Sequence, residues 1–193
     1  MPRFSLRHLR YSHTENRAEN ERQSALPGFS GNGAFSENGY IEHQSALKSL
    51  PVGCRNAAYC GCGWIAAYNL FRSLGMVLTI PVLIEEFEHG LLFSGVFGTN
   101  PLFFRRFLRK KGLFPSLFLR RKKFLASGAE NAVLFYIRPD LSAHYVAFSK
   151  TGEREDKTPL FLFHNTDFGA VTETLPAFLL KTPHRLTLFY AVT

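Results

Sequence analysis

Three short stretches of the chain carry side chains that could do chemistry together. In Asn56-Ala57-Ala58-Tyr59-Cys60-Gly61-Cys62-Gly63-Trp64-Ile65-Ala66-Ala67-Tyr68-Asn69, Cys62 stands at the first turn of a predicted helix. A thiolate there would meet the positive end of the helix dipole and unpaired backbone N–H groups. Both lower its pKa and make it a nucleophile near neutral pH. A cysteine in such a place is otherwise a small buried hydrophobe. In Ser142-Ala143-His144-Tyr145-Val146-Ala147-Phe148, His144 lies on a predicted strand, with Val146 and Phe148 on its face. A lone strand histidine is more often a core or edge residue, but beside a helix-terminal cysteine an imidazole is a general base and acid. Phe163-His164-Asn165-Thr166-Asp167 ends the next strand, where Asn165 could accept the imidazole N–H and fix its tautomer. Asn-Thr-Asp after a strand is also an ordinary turn, and Asp167 is the alternative orienting group.

The elements that must position these groups follow from periodicity and punctuation. Residues 62–75 read as a helix in which Trp64, Ile65, Ala66, Ala67, Tyr68, Leu70, Phe71 and Leu74 are apolar almost all round, as in a buried central helix. Gly75 suits a left-handed C-cap. Two more helices are predicted over 81–89 and 101–112, each with Pro in the first turn and Gly at the end. In the second of these, Leu102, Phe103, Phe107 and Leu108 are expected to face inward. Residues 50–53 read as a loop. Residues 132–137, 143–150, 160–165 and 185–192 read as strands, with a short helix at 175–181. Helices first and antiparallel strands after predict an α+β layer arrangement. Residues 1–43 hold few apolar side chains to offset the entropy of ordering, so a poorly ordered arm is expected before a domain at 44–193.

Taken in this order, the three stretches resemble the papain-like cysteine peptidases. The resemblance is nearest to the bacterial peptidases that remove double-glycine leaders. In that family a Cys-Gly pair opens the central helix and a Leu-Gly closes it, as Cys62-Gly63 and Leu74-Gly75 do here. The family's histidine precedes an aromatic residue and aliphatics on a strand, matched by His144-Tyr145-Val146, and its third residue ends the next strand, where Asn165 falls. The resemblance implies a papain-like fold over about 145 residues and hydrolysis of a peptide or isopeptide bond through an acyl–Cys62 intermediate. His144 would be base and acid, and Asn165 the orienting residue. The family places a Gln six residues before the nucleophile as an oxyanion donor; Asn56 stands there, one methylene shorter. Cys60-Gly61 is a second Cys-Gly pair, but Cys62 fits the spacing to Gly75. Capture of the same acyl intermediate by an amine, an acyltransferase, uses identical groups. No cofactor or metal is implied.

Composition narrows the rest. The chain has 193 residues, 46% hydrophobic and 20% charged, which suits one soluble globular domain. The net charge of +8 is concentrated: residues 89–129 lack Asp and Glu, while Arg105, Arg106, Arg109, Lys110, Lys111, Arg120, Arg121, Lys122 and Lys123 are cationic. This 105–123 patch reads as a solvated basic helix face and turn, or as the seat of an anionic partner in a non-catalytic binding module. No nucleic-acid motif accompanies it. No apolar run suffices for a membrane span, and Arg3, Arg7 and Arg10 precede no apolar signal region. Three cysteines are no disulfide framework, and a reducing cytoplasm is the expected setting. Cys54, Cys60 and Cys62 lack the usual spacing of structural zinc ligands.

Overall fold

The computed structural model describes residues 12–192. In chain order its elements are helix α1 (His13–Ser24), a hairpin of β1 (Pro51–Val52) and β2 (Arg55–Asn56), α2 (Ala57–Cys60), α3 (Cys62–Ser73), α4 (Ile80–Glu88) and α5 (Pro101–Lys110). There follow β3 (Ser116–Phe118), α6 (Arg121–Ala126), β4 (Asn131–Ile137), β5 (Ala143–Glu153), β6 (Pro159–Thr166), β7 (Gly169–Thr174), α7 (Leu175–Lys181) and β8 (Leu186–Val192). Strands β3 to β8 form one antiparallel sheet in the order β3-β8-β4-β5-β6-β7, so the fold class is α+β.

Alternation along the strands builds two apolar layers, one on each face of the sheet. On one face, Val133 and Phe135 of β4, Tyr145 and Ala147 of β5 and Tyr190 of β8 meet α3, α4 and α5. On the other, Leu134, Tyr136, Val146, Phe148, Phe161 and Phe163 meet Phe124 of α6 and Phe178 of α7. Helix α3 is the centre of the first layer: nine of its twelve residues are buried, which an apolar circumference requires. It ends where Gly75 takes φ 71°, the left-handed stop that its sequence signalled.

Helix α5 differs from the inward set expected of it. Phe104, Phe107 and Leu108 are buried, whereas Leu102 is 71% exposed. Asn100 caps the helix through Leu102 N–H at 2.9 Å, and this fixes the rotation that turns Phe104 onto Tyr145 and Tyr190. The basic turn expected after it is instead the short helix α6, which buries Phe124 and leaves Arg121, Lys122 and Lys123 exposed.

Residues 12–43, where a poorly ordered arm is expected from the sequence, carry helix α1 and side chains packed on the rest of the domain. Helix α1 has no apolar stripe, but polar anchors hold it to the hairpin and to α4. Asn16 Nδ2 donates to Gly53 O and to Glu88 Oε1, and Asn20 Nδ2 donates to Pro51 O. Arg17 pairs with Glu85. Further on, Ala34 and Ile41 are fully buried in the first layer. Asn69 of α3 seals Ile41, accepting its N–H at 2.9 Å and donating to its carbonyl at 2.8 Å. Residues 1–11 of the expected arm lie outside the described residues.

Candidate active site

A cleft of about 740 Å³ opens at the end of the sheet where β5 begins. Cys62, His144 and Asn165 all line it, together with Gln44, Tyr59, Phe97, Arg138 and Leu141 among others. The sequence thus brings three of its four expected site residues to one place. Asn56 is not among the lining residues. Its side chain is turned to its own backbone, where Oδ1 accepts Tyr59 N–H at 3.1 Å and caps α2. Asn is a strong N-cap residue, and the local turn takes the side chain that a longer Gln could have extended toward the cleft.

Cys62 occupies the first position of α3 and is 5% exposed. Two glycines make that position possible. A Cβ on Gly61 would come 2.4 Å from Ala57 O, and one on Gly63 would come 2.2 Å from Thr99 Oγ1. The stretch 95–99 therefore lies directly against the start of the helix, with Tyr145 Oη donating to Thr99 O at 3.0 Å.

The electrostatics of Cys62 correct one expectation. Burial pushes the thiol up to about 11, and the opposing groups do not overcome it. Those groups are the backbone N–H of Tyr145, of Gly63 and of Cys62 itself, and the charge of Arg138. At neutral pH the sulfur is a thiol, because desolvation of the anion outweighs the helix terminus. Cys60 is pushed further, to about 12, again chiefly by burial. Its Sγ lies 3.5 Å from both Val52 O and Asn56 O, so a thiolate there would face carbonyl oxygens. A thiolate at Cys62 would instead face N–H donors. The environments separate the two cysteines, which the sequence alone left as near equivalents.

His144 is half-buried at the start of β5, opposite Tyr136 in register. Burial lowers its pKa, opposed by a hydrogen bond to the Asn165 carbonyl, so it is neutral at pH 7. That bond, Nε2 to Asn165 O at 2.9 Å, makes Nε2 the protonated nitrogen and leaves Nδ1 with the free lone pair. Asn165 thus meets the His144 ring, as the sequence led one to expect of their strands, but through its backbone carbonyl and not its side chain. The Asn165 side chain is committed to Gln44: Oδ1 accepts Gln44 N–H at 3.0 Å and Nδ2 donates to Gln44 Oε1 at 3.2 Å. Asp167, the alternative, is exposed and its carboxylate pairs with Arg138 at 2.6 Å.

The Asn165 carbonyl reaches His144 because the strand kinks there. Asn165 has φ 57°, a left-handed conformation that Asn tolerates better than other side chains bearing a Cβ. The pairing of β6 with β7 shifts register between Phe163 and Thr166 around it, as a bulge does when it re-aims a backbone group. Residues missed by sequence reasoning were Glu42, within the arm expected to be poorly ordered, and Gln44, at the first position of the expected domain; both hold Asn165. Their only signal was an isolated apolar Ile41 beside a carboxylate.

Among the described residues no group of three or more His, Cys, Asp or Glu side chains is placed to hold a metal ion, and no helix is long and apolar enough to cross a membrane. No protein-family model matches the chain, and no curated protein matches it.

Proposed function

We propose that this protein is a papain-like Cys–His hydrolase that cleaves a peptide or isopeptide bond. The observation that carries the reading is the shared cleft. A helix-terminal Cys62 surrounded by N–H donors and a neutral His144 with a fixed tautomer line one opening large enough for several residues of an extended chain.

With substrate in the cleft, Cys62 Sγ attacks the carbonyl carbon as its proton passes to His144 Nδ1. Proton removal accompanies attack, since burial keeps the resting sulfur protonated. The oxygen of the tetrahedral intermediate becomes an anion beside the N-terminus of α3, where the Cys62 backbone N–H supplies a donor. Collapse breaks the C–N bond, and the imidazolium of His144 gives its proton to the leaving amine. Water, deprotonated by the same Nδ1, then attacks the thioester and releases the acid and the free thiol.

Incubation with a proteome-derived peptide mixture, read by mass spectrometry for new termini, tests the reading. Wild type is expected to generate a reproducible set of cleavages, and Cys62→Ala none. Full turnover by Cys62→Ala would refute it.

A further inference from the structure

The carbonyl that orients His144 is held from behind by a buried carboxylate. Glu42 is 5% exposed, and its Oε2 accepts the Asn165 backbone N–H at 3.0 Å. Its Oε1 lies 2.6 Å from Nδ1 of His164, itself 2% exposed. The His164 ring stacks on Tyr40, with centroids 4.1 Å apart and planes 10° from parallel. Nε2 of His164 has no hydrogen-bond partner among the described residues, so Nδ1 is the atom that ties the ring, donating to the Glu42 carboxylate. Glu42 thus receives two N–H donors from consecutive residues of β6, one from a side chain and one from the backbone.

We infer that Glu42 is a positioning residue, which fixes the orientation of His144 by holding the Asn165 peptide unit in its left-handed kink. The route is short and made of polar groups only. Glu42 Oε2 fixes the Asn165 amide, the φ of 57° then sets the direction of the carbonyl, and that carbonyl takes the His144 Nε2 proton. Gln44 braces the same residue through its side chain and ties it to α2 by donating to Ala58 O at 3.1 Å. A regular strand would not hold a non-glycine residue in this conformation, so an external clamp is needed to keep it there. His164 and Tyr40 fix the carboxylate in turn. The effect on rate rests on the hydrolase reading; the effect on His144 does not.

The test is a set of three variants read by imidazole ¹⁵N NMR and by kinetics on a peptide that the wild type cleaves. In wild type, His144 is expected as the pure Nε2–H form. Glu42→Leu frees the Asn165 amide, so His144 becomes a mixture of tautomers, and kcat falls on the order of 10²-fold with KM within about threefold. Glu42→Gln still offers Oε1 to Asn165 N–H while its amide donates to the other tautomer of His164. It is expected to restore the Nε2–H form and a kcat within about fivefold of wild type. His164→Phe keeps the stack on Tyr40 and releases the carboxylate, and it should speed solvent exchange of the His144 Nε2 proton. This last variant decides the matter if Glu42→Leu does not fold. An unchanged tautomer in a folded Glu42→Leu, or unchanged exchange in His164→Phe, would overturn the assignment. A protein that cleaves no peptide yet shows the tautomer change would overturn only the hydrolase reading.

Discussion

His144 Nε2 donates to the main-chain carbonyl of Asn165 at 2.9 Å, while the Asn165 side chain points to Gln44. A backbone acceptor survives substitution of the side chain, provided the replacement can adopt the kink.

Asn165→Gly therefore separates the two atoms. Glycine takes φ 57° without penalty, so kcat should stay within about tenfold of wild type. Asn165→Val is β-branched and resists that conformation, and kcat should fall on the order of 10²-fold. Steady-state kinetics on one cleaved peptide compares them. If glycine is as damaging as valine, the side chain matters more than the carbonyl.

The raised thiol of Cys62 gives a pH signature. Alkylation by iodoacetamide, mapped by mass spectrometry, should be slow at pH 6 to 7 and climb toward a midpoint near 11. Rapid labelling at pH 6 would instead mean a thiolate–imidazolium pair at rest. The same shift acts on stability. Between the ordinary thiol value of 9.0 and about 11, the unfolded chain has lost this proton and the folded one keeps it. The folded state accordingly loses stability as pH rises through that window. The stability difference between wild type and Cys62→Ala, followed by denaturant titration, should shrink from pH 9 to 11.

Gly63 has no room for a side chain. A Cβ there meets Thr99 Oγ1 at 2.2 Å and Thr99 Cβ at 2.7 Å, and Thr99 is 3% exposed. Gly63→Ala is expected to cost about 1–3 kcal/mol and to displace the stretch carrying Val96 and Phe97 on the cleft wall. Removing the obstacle in Gly63→Ala/Thr99→Gly should recover part of the loss in thermal unfolding. A double variant no better than the single one would mean the contact is not what limits position 63.

Glu88 ties three segments together. Its Oε1 accepts the Gly53 backbone N–H at 2.7 Å and Asn16 Nδ2, and its Oε2 pairs with His13 at 2.9 Å. Glu88→Ala leaves the buried Gly53 N–H and the part-buried Asn16 amide without that acceptor, so stability should fall by about 1–3 kcal/mol. Limited proteolysis should then cut first on either side of α1. Resistance equal to wild type would mean that α1 is held by other contacts.

Much of the layer frame was legible because each element carries its own signal. The all-apolar circumference of α3, the Pro and Gly punctuation of α4 and α5, and the β-branched and aromatic runs of β4, β5, β6 and β8 each specify one outcome. Helix α1 was not legible, since His13–Ser24 shows no apolar period and is held by Asn16, Asn20 and Arg17 reaching partners far along the chain. Strands β3 and β7 were missed because one has only three residues and the other, Gly-Ala-Val-Thr-Glu-Thr, opens on glycine and holds a single large apolar side chain. At the site, residue types and order pointed to Cys62 and His144. Which atom of Asn165 does the orienting depends on a backbone angle, and which face Asn56 serves depends on a local cap; neither is written in residue type alone.

The Glu42–Asn165 bond joins residues 123 positions apart. During synthesis Glu42 leaves the ribosome long before the amide it binds exists, and closing so long a loop comes late in folding. Cys62 and its helix can form well ahead of that step, but His144 gains its fixed tautomer only when the early segment and the sixth strand meet. A nascent chain, or one truncated before residue 165, thus carries Cys62 without an oriented His144. On the hydrolase reading, competence then waits until the sixth strand has been made and has met the segment that carries Glu42.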